Sequence, residues 1–338
     1  MADYILIIPL LASFLITLLI LPSWIKRAMN AGLYGKDMNK FDKGEVAEGG
    51  GITVITGFIL GILSYIAIKT FYFQSSDNLI EIFALVSAIL IVAFIGMMDY
   101  LLGWKIGLGK KLRIFLVVIA AIPLMVINVG ESFISLPIIG RFYIGLLYPL
   151  LAVPIGITGA ATTFNFLAGY NGLEARQGIL ILGALAVATW FSGYSWITLI
   201  LLCMIAALTA FLVYNWYPAK VFPGDILTYS VGALIACAAI LGNLERFAVF
   251  IFIPNIIEVF LKLRGRLVVE SFGNPKKDGS LELRNNKICG LEHLAIRLLQ
   301  KFRGKAYEND VVLVINLFQI AVIILGFIIF KQGIFYGV

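Results

Sequence analysis

The chain reads as an all-α, polytopic integral membrane protein with about ten transmembrane helices, and three observations predict this class. Of its 338 residues, 61% are hydrophobic and 13% charged, too little charge to cover a soluble fold of this size. The apolar residues gather in runs near the ~20 residues that an α-helix needs to cross the hydrocarbon. Basic residues fall almost wholly into alternate connecting segments, the pattern expected of a chain that repeatedly crosses a bilayer.

Candidate spans lie at 4–25, 52–73, 80–98, 112–129, 143–164, 179–194, 196–213, 226–241, 246–263 and 311–331. The first has no basic stretch before it and is too long for a signal-peptide core, so it reads as a retained span. Only Gly193-Tyr-Ser195 separates the sixth and seventh spans. Ten crossings place both termini on one side. Of the 26 Lys and Arg residues, only Lys69, Arg141, Arg246 and Lys331 then lie on the opposite face. The positive-inside rule makes segments 26–51, 99–111, 165–178, 214–225 and 264–310 cytoplasmic.

The net charge of +7 therefore reflects orientation, and no nucleic-acid partner is expected. No repeat of 20–50 residues supports a solenoid or an inverted-repeat transporter. Cys203, Cys237 and Cys289 lack metal or redox spacing and read as buried thiols. There is no P-loop, GxGxxG, HExxH or GxSxG element, which argues against ATP hydrolysis and serine-hydrolase chemistry.

The chain reads as one membrane domain, 1–338, within which the long cytoplasmic segment 264–310 carries structure of its own. Leu267-Val-Val269 and Leu281-Glu-Leu283 flank an Asp-Gly turn signal and predict a hairpin. Leu291, Leu294, Ala295, Leu298, Leu299 and Phe302 recur at helical spacing beside Arg297, Lys301 and Arg303. That pattern predicts a basic amphipathic helix on the membrane surface. His293 on this helix reads as interfacial or solvated.

Chemistry is expected where polar residues interrupt the apolar runs, because ionisable groups at a span are costly. Asp225 follows Pro223-Gly224 and opens a span. It suits a helix N-cap, or a hard oxygen ligand for Mg²⁺ shared with phosphate oxygens. Asn165 ends a span, where its amide oxygen can complete such a shell, and Asn171-Gly172 is a turn signal. Asp99 closes the third span ahead of Lys105, Lys110, Lys111 and Arg113, pairing an acid with candidate phosphate-binding cations. Glu48 precedes three glycines, which let backbone approach a ligand closely.

Gly35-Lys-Asp-Met-Asn-Lys40, Asn165-Phe-Leu-Ala-Gly-Tyr-Asn-Gly-Leu-Glu-Ala175, Tyr214-Asn-Trp-Tyr-Pro218 and Val221-Phe-Pro-Gly-Asp225 occur in that order along the chain. Together they resemble the polyprenyl-phosphate N-acetylhexosamine-1-phosphate transferase superfamily, most of all its dolichyl-phosphate branch. The resemblance implies a ten-span fold, a cytoplasmic active site and dependence on Mg²⁺, or on Mn²⁺ in its place. It implies transfer of N-acetylglucosamine-1-phosphate from UDP-N-acetylglucosamine to dolichyl or another polyprenyl phosphate, with release of UMP. A second copy of the chain is a further partner that it admits.

By the same resemblance, Asn165 and Asp225 hold the metal. Phe222 stacks on uracil, Asn171 reads its edge, and Glu48 and Gly224 border the nucleotide-sugar pocket. Asp99 lies near the acceptor phosphate with Lys110 or Lys111. Two departures stand out. Met98 occupies the first of the family's two adjacent aspartates. Val268-Val-Glu270 replaces its basic cluster, leaving Arg264 and Arg266 as substitutes. The alternatives are a bacterial-type transferase acting on undecaprenyl phosphate, or a lipid or nucleotide-sugar transporter.

Overall fold

Helix α1, Ile7–Asn30, leads into a short hairpin of β1, Tyr34–Lys36, and β2, Glu45–Ala47, then α2, Gly51–Ala67. The computed structural model describes residues 4–106, 109–130, 133–136, 140–284 and 287–335, without the side chains of 103–106, 110, 133–136 and 140–142. Helix α3 spans Leu79–Ile106, α4 Lys110–Ala120 and α5 Ile122–Val126. A hairpin of β3, Phe133–Leu136, and β4, Gly140–Tyr143, precedes α6, Val153–Phe164. Then come α7, Leu173–Phe191, α8, Ser195–Asn215, and α9, Gly224–Leu241. Helices α10, Glu245–Ile251, and α11, Ile253–Arg264, are followed by strands β5, Asn274–Pro275, and β6, Leu281–Glu282. Helix α12, Leu291–Arg303, and α13, Glu308–Phe335, complete the described chain.

The chain is an all-α membrane protein, since a spanning segment must satisfy its own backbone and a helix does so internally. Among the described residues, seven helices are individually long and apolar enough to cross: Tyr4–Asn30, Gly51–Tyr72, Leu79–Leu102, α7, α8, α9 and α13. The other three expected spans, 112–129, 143–164 and 246–263, are not continuous α-helices. The first is divided into α4 and α5, the second begins as a π-helical turn before α6, and the third is divided into α10 and α11. Proline lies at the start of each new piece: Pro123, Pro149, Pro154 and Pro254. Its ring fixes φ and removes the N–H donor, so it begins a helix readily and continues one poorly.

Helix α9 is the buried axis of the bundle, with almost every residue from Ile226 to Ile240 inside. It is approached closely from two sides. A Cβ on Gly96 of α3 would lie 2.8 Å from the backbone of Asp225 and Ile226. A Cβ on Gly232 would lie 2.7 Å from Cα of Ala161 on α6. Small residues at these crossings let backbones meet where lipid supplies no hydrophobic drive. Both contacts bring a span terminus that bears a site residue against α9.

A second, smaller core lies beneath the last cytoplasmic segment. It joins Leu167, Tyr170 and Leu173 to Leu291, Ala295, Ile296 and Leu299 of α12 and to Val311, Val312 and Ile315 of α13. The apolar face expected on α12 is thus divided into two rows. Leu291, Ala295 and Leu299 pack inward, whereas Leu294, Leu298 and Phe302 are exposed. The hairpin forms around Asp278-Gly279, but its first strand is Asn274–Pro275 and not 267–269. Asp278 accepts from the N–H and hydroxyl of Ser280, which closes the turn tightly and pairs the residues immediately beside it.

His293 is 3% exposed, not solvated. Its Nδ1 accepts the N–H of Cys289 at 3.3 Å, and the ring lies against the Phe272 backbone. Burial, then the charges of Lys262 and Arg284, lower its pKa below the usual 6.5. A neutral imidazole in the fold means that folding binds fewer protons, so its stabilisation is complete above that value and lost as pH falls. Thermal unfolding in detergent is expected to occur at lower temperature between about pH 7 and pH 5. In His293→Asn that slope should flatten; an identical slope would contradict the assignment.

Candidate active site

The N-terminus of α9 and the loops around it enclose a cavity of about 220 Å³. Its wall includes Asn165, Phe222, Gly224, Asp225 and Glu48, five residues expected at the site, and also Lys36, Asp37, Glu174, Asn215, Thr228 and Phe272. These come from segments scattered from the first hairpin to the last cytoplasmic loop.

The wall is built on backbone pairing. Ala47 bridges Val221, the N–H of Phe222 donates to the Ala47 carbonyl at 2.7 Å, and Gly50 and Gly51 donate to the carbonyls of Phe222 and Pro223. A Cβ on Gly51 would lie 2.6 Å from the backbone nitrogen of Leu227, which explains the glycine run. Gly224 adopts φ of +67°, a conformation that favours glycine, and turns the chain into α9 so that Asp225 occupies its first turn. Glu48, half-buried, packs over Gly35, and burial raises its carboxyl above the usual range.

Asp225 lies within hydrogen-bonding reach of Asp99 and Asn165. Arg113 pairs with Asp99 at 2.5 Å and with Asp225 at 3.5 Å, and donates to the Tyr229 hydroxyl at 3.0 Å. Thr228 donates to the Asn165 amide oxygen at 2.7 Å, which orients that oxygen. Two carboxylates and an amide oxygen thus converge from α3, α6 and α9. They are hard oxygen donors of the kind that bind Mg²⁺ together with water and phosphate. Among the described residues no group of three or more His, Cys, Asp or Glu side chains could hold a metal. A cation here would accordingly share its shell with a ligand, as Mg²⁺ usually does in nucleotide sites.

The remaining expected residues fall elsewhere. Lys111 is exposed and the side chain of Lys110 lies outside the described residues; among the described residues, Arg113 pairs with Asp99. Arg113 belongs to the same basic run, but nothing in the run distinguished it. Arg264 and Arg266 are exposed and do not line the cavity; the last cytoplasmic loop reaches it through Phe272, packed on Gly169. Asn171 is buried behind the wall. Its amide donates to Asp37 at 3.1 Å and its backbone N–H to Glu308 at 2.8 Å. Lys40 pairs with both Asp37 and Glu308, so the first hairpin, the 165–172 loop and α13 are fastened together.

Residues 82–243 match glycosyl transferase family 4. A Saccharolobus solfataricus protein is 34% identical over 311 residues, covering 91% of this chain and 92% of that one. The chain belongs to glycosyl transferase family 4. That relative is provisionally named a UDP-N-acetylglucosamine–dolichyl-phosphate N-acetylglucosaminephosphotransferase. A Schizosaccharomyces pombe protein named for the same activity is 27% identical over 345 residues, 86% of this chain and 75% of its own. A Streptococcus agalactiae phospho-N-acetylmuramoyl-pentapeptide-transferase is 27% identical over 295 residues, 83% of this chain and 85% of its own. Family 4 membership makes this chain a transferase, and the matched region contains the part of the cavity wall drawn from 165–174 and 215–228.

Proposed function

We propose that this transferase moves N-acetylglucosamine-1-phosphate from UDP-N-acetylglucosamine to a dolichyl or related polyprenyl phosphate, at the cytoplasmic face of the membrane and with Mg²⁺. The reading is carried by the cavity at the head of α9, which Asp225, Asn165 and Phe222 line together. The names of the Saccharolobus and Schizosaccharomyces relatives supply the donor and acceptor.

Charge supports a divalent cation. Among the described residues, Asp37, Glu48, Glu174 and Asp225 line the cavity with Lys36 as their basic companion. A diphosphate entering so acidic a pocket would be repelled unless metal accompanied it. Asp225 and Asn165 would hold the ion, with Asp99 beside them. Bound there, Mg²⁺ supplies Lewis-acid neutralisation of the diphosphate and of the UMP oxygen as it departs.

The chain's own groups do the positioning. Phe222 offers its ring to the uracil. Arg113, between Asp99 and Asp225, receives the acceptor phosphate, and Asp99 orients it. An acceptor oxygen attacks the sugar-linked phosphorus, a new P–O–P bond forms, and the bond to the UMP oxygen breaks with its electron pair going to UMP. The acceptor is already anionic near neutral pH, so placement matters more than a strong base.

A lipid acceptor accords with the surroundings of Asp99. Met98, Leu101, Leu102, Leu112 and Phe115 are exposed apolar residues near it on α3 and α4. A tail held in the bilayer can lie against them while its phosphate reaches the cavity. The one-sided distribution of Lys and Arg supports the cytoplasmic orientation.

The test is UMP release by purified protein given dolichyl phosphate, Mg²⁺ and a panel of UDP-sugars. UMP release with UDP-N-acetylglucosamine is expected. Release only with a muramoyl-pentapeptide donor would transfer the reading to the bacterial-type activity, and transport of substrate without UMP would overturn both. Phe222→Ala should raise KM for the donor about tenfold with kcat little changed, since base–aromatic stacking contributes ~1–3 kcal/mol. An unchanged KM would remove uracil from that ring.

A further inference from the structure

Two side chains in the cavity wall carry oxygen atoms whose burial the metal site does not explain. Glu174, on the first turn of α7, is 4% exposed. Its Oε1 accepts the N–H of Gly169 at 2.8 Å, whereas its Oε2 is buried with no hydrogen-bond partner among the described residues. Asn215, the last residue of α8, is 1% exposed. Its amide nitrogen donates to the Val221 carbonyl at 2.8 Å, and its Oδ1 is likewise buried and unmatched. The Val221 carbonyl can only accept, so it determines which end of the amide faces it. The Asn215 oxygen is therefore committed elsewhere.

Buried polar atoms of folded proteins are nearly always paired, and exceptions at a cavity ask for a ligand. An amide oxygen and an ionised carboxylate oxygen are both acceptors, and both residues line the same cavity. A phosphate could satisfy neither, because it too offers lone pairs and negative charge. The matching groups are N–H and O–H donors on a neutral moiety.

We infer that Glu174 and Asn215 form an acceptor subsite that binds N–H or O–H donors of the neutral part of the nucleotide sugar, either the uridine or the sugar. This rests on the nucleotide-sugar reading of the cavity and assigns specificity to two residues outside the metal-binding set. Glu174 fixes the loop through Gly169 with one oxygen and addresses the ligand with the other. Asn215, tied to Val221 through its amide nitrogen, keeps its oxygen for a donor other than the backbone. A donor lacking the matching group would leave a buried carboxylate unpaired, the kind of mismatch by which hydrogen-bonding sites reject analogues strongly.

The experiment titrates full-length protein in detergent with UMP and with UDP-N-acetylglucosamine in Mg²⁺, comparing wild type with Glu174→Gln. The variant keeps an oxygen for Gly169 but replaces the acceptor at the cavity with an NH2 donor. UDP-N-acetylglucosamine is expected to bind about tenfold or more weakly. An equal loss for UMP puts the donors on the nucleoside, and an unchanged UMP affinity puts them on the sugar. Wild-type binding of both probes with Glu174→Gln indistinguishable from it overturns the subsite alone. Wild-type failure to bind either probe overturns the subsite and the nucleotide-sugar reading together. Should Glu174→Gln not fold, donor analogues lacking one N–H or O–H at a time carry the test against wild type. At least one must lose about tenfold in affinity, and uniform affinity across the set overturns the proposal.

Discussion

Asp225→Ala leaves a folded, extractable protein whose transfer rate falls roughly a hundred- to a thousandfold, the scale of removing a group that stabilises developing charge. The stability cost is small because the side chain is 29% exposed and its ion pair with Arg113 is 3.5 Å long. Such partly solvated pairs contribute at most about 1 kcal/mol. The functional cost is large because Asp225 is where α3, α6 and α9 converge, with Asp99 and Asn165 both in reach. Paired measurements of UMP release and thermal unfolding check it. Near-normal turnover with Mg²⁺ would remove Asp225 from the centre, and collapse of the fold would make its role structural.

Gly96→Ala tests the positioning of that convergence without touching a polar atom. The added methyl would sit 2.8 Å from the Asp225 carbonyl carbon and the Ile226 Cα, both backbone atoms that cannot swing aside. Helix α3 must then shift from α9, carrying Asp99, one turn further on, away from Asp225. Overpacking of this kind costs about 1–3 kcal/mol. A displacement near 1 Å is expected to lower kcat/KM about a hundredfold. Gly183→Ala is the control, since a Cβ there meets nothing within 4 Å. Equal activity of the two variants would show that the α3–α9 approach does not set the site.

How much of this was legible beforehand depends on what each residue's signal was. Asn165, Glu48 and Asp225 are polar residues at the ends of apolar runs, Gly224 lies in the turn before one, and Phe222 was given by the resemblance alone; all five line the cavity. The basic run after Asp99 was equally visible, but Lys111 and Arg113 differ only in where α4 directs them, and no periodicity singles out Arg113. Asp37, Glu174 and Asn215 lie inside the recognised motifs. Their importance comes from burial and from which partner each oxygen lacks, which are properties of the assembled fold. The three broken spans were signalled by Pro123, Pro149, Pro154 and Pro254, whereas hydropathy averages across a proline. His293 looked solvated because its helix is basic, yet it lies on the row that α12 turns toward Phe272.

The most direct test of the phosphotransfer centre follows the sugar-linked phosphorus. UDP-N-acetylglucosamine labelled at that atom, incubated with the protein, Mg²⁺ and dolichyl phosphate, should deliver the label to the organic phase in a lipid diphosphate sugar and leave unlabelled UMP in water. Label that stays in water as UDP, with the sugar alone reaching the lipid, would contradict attack at phosphorus.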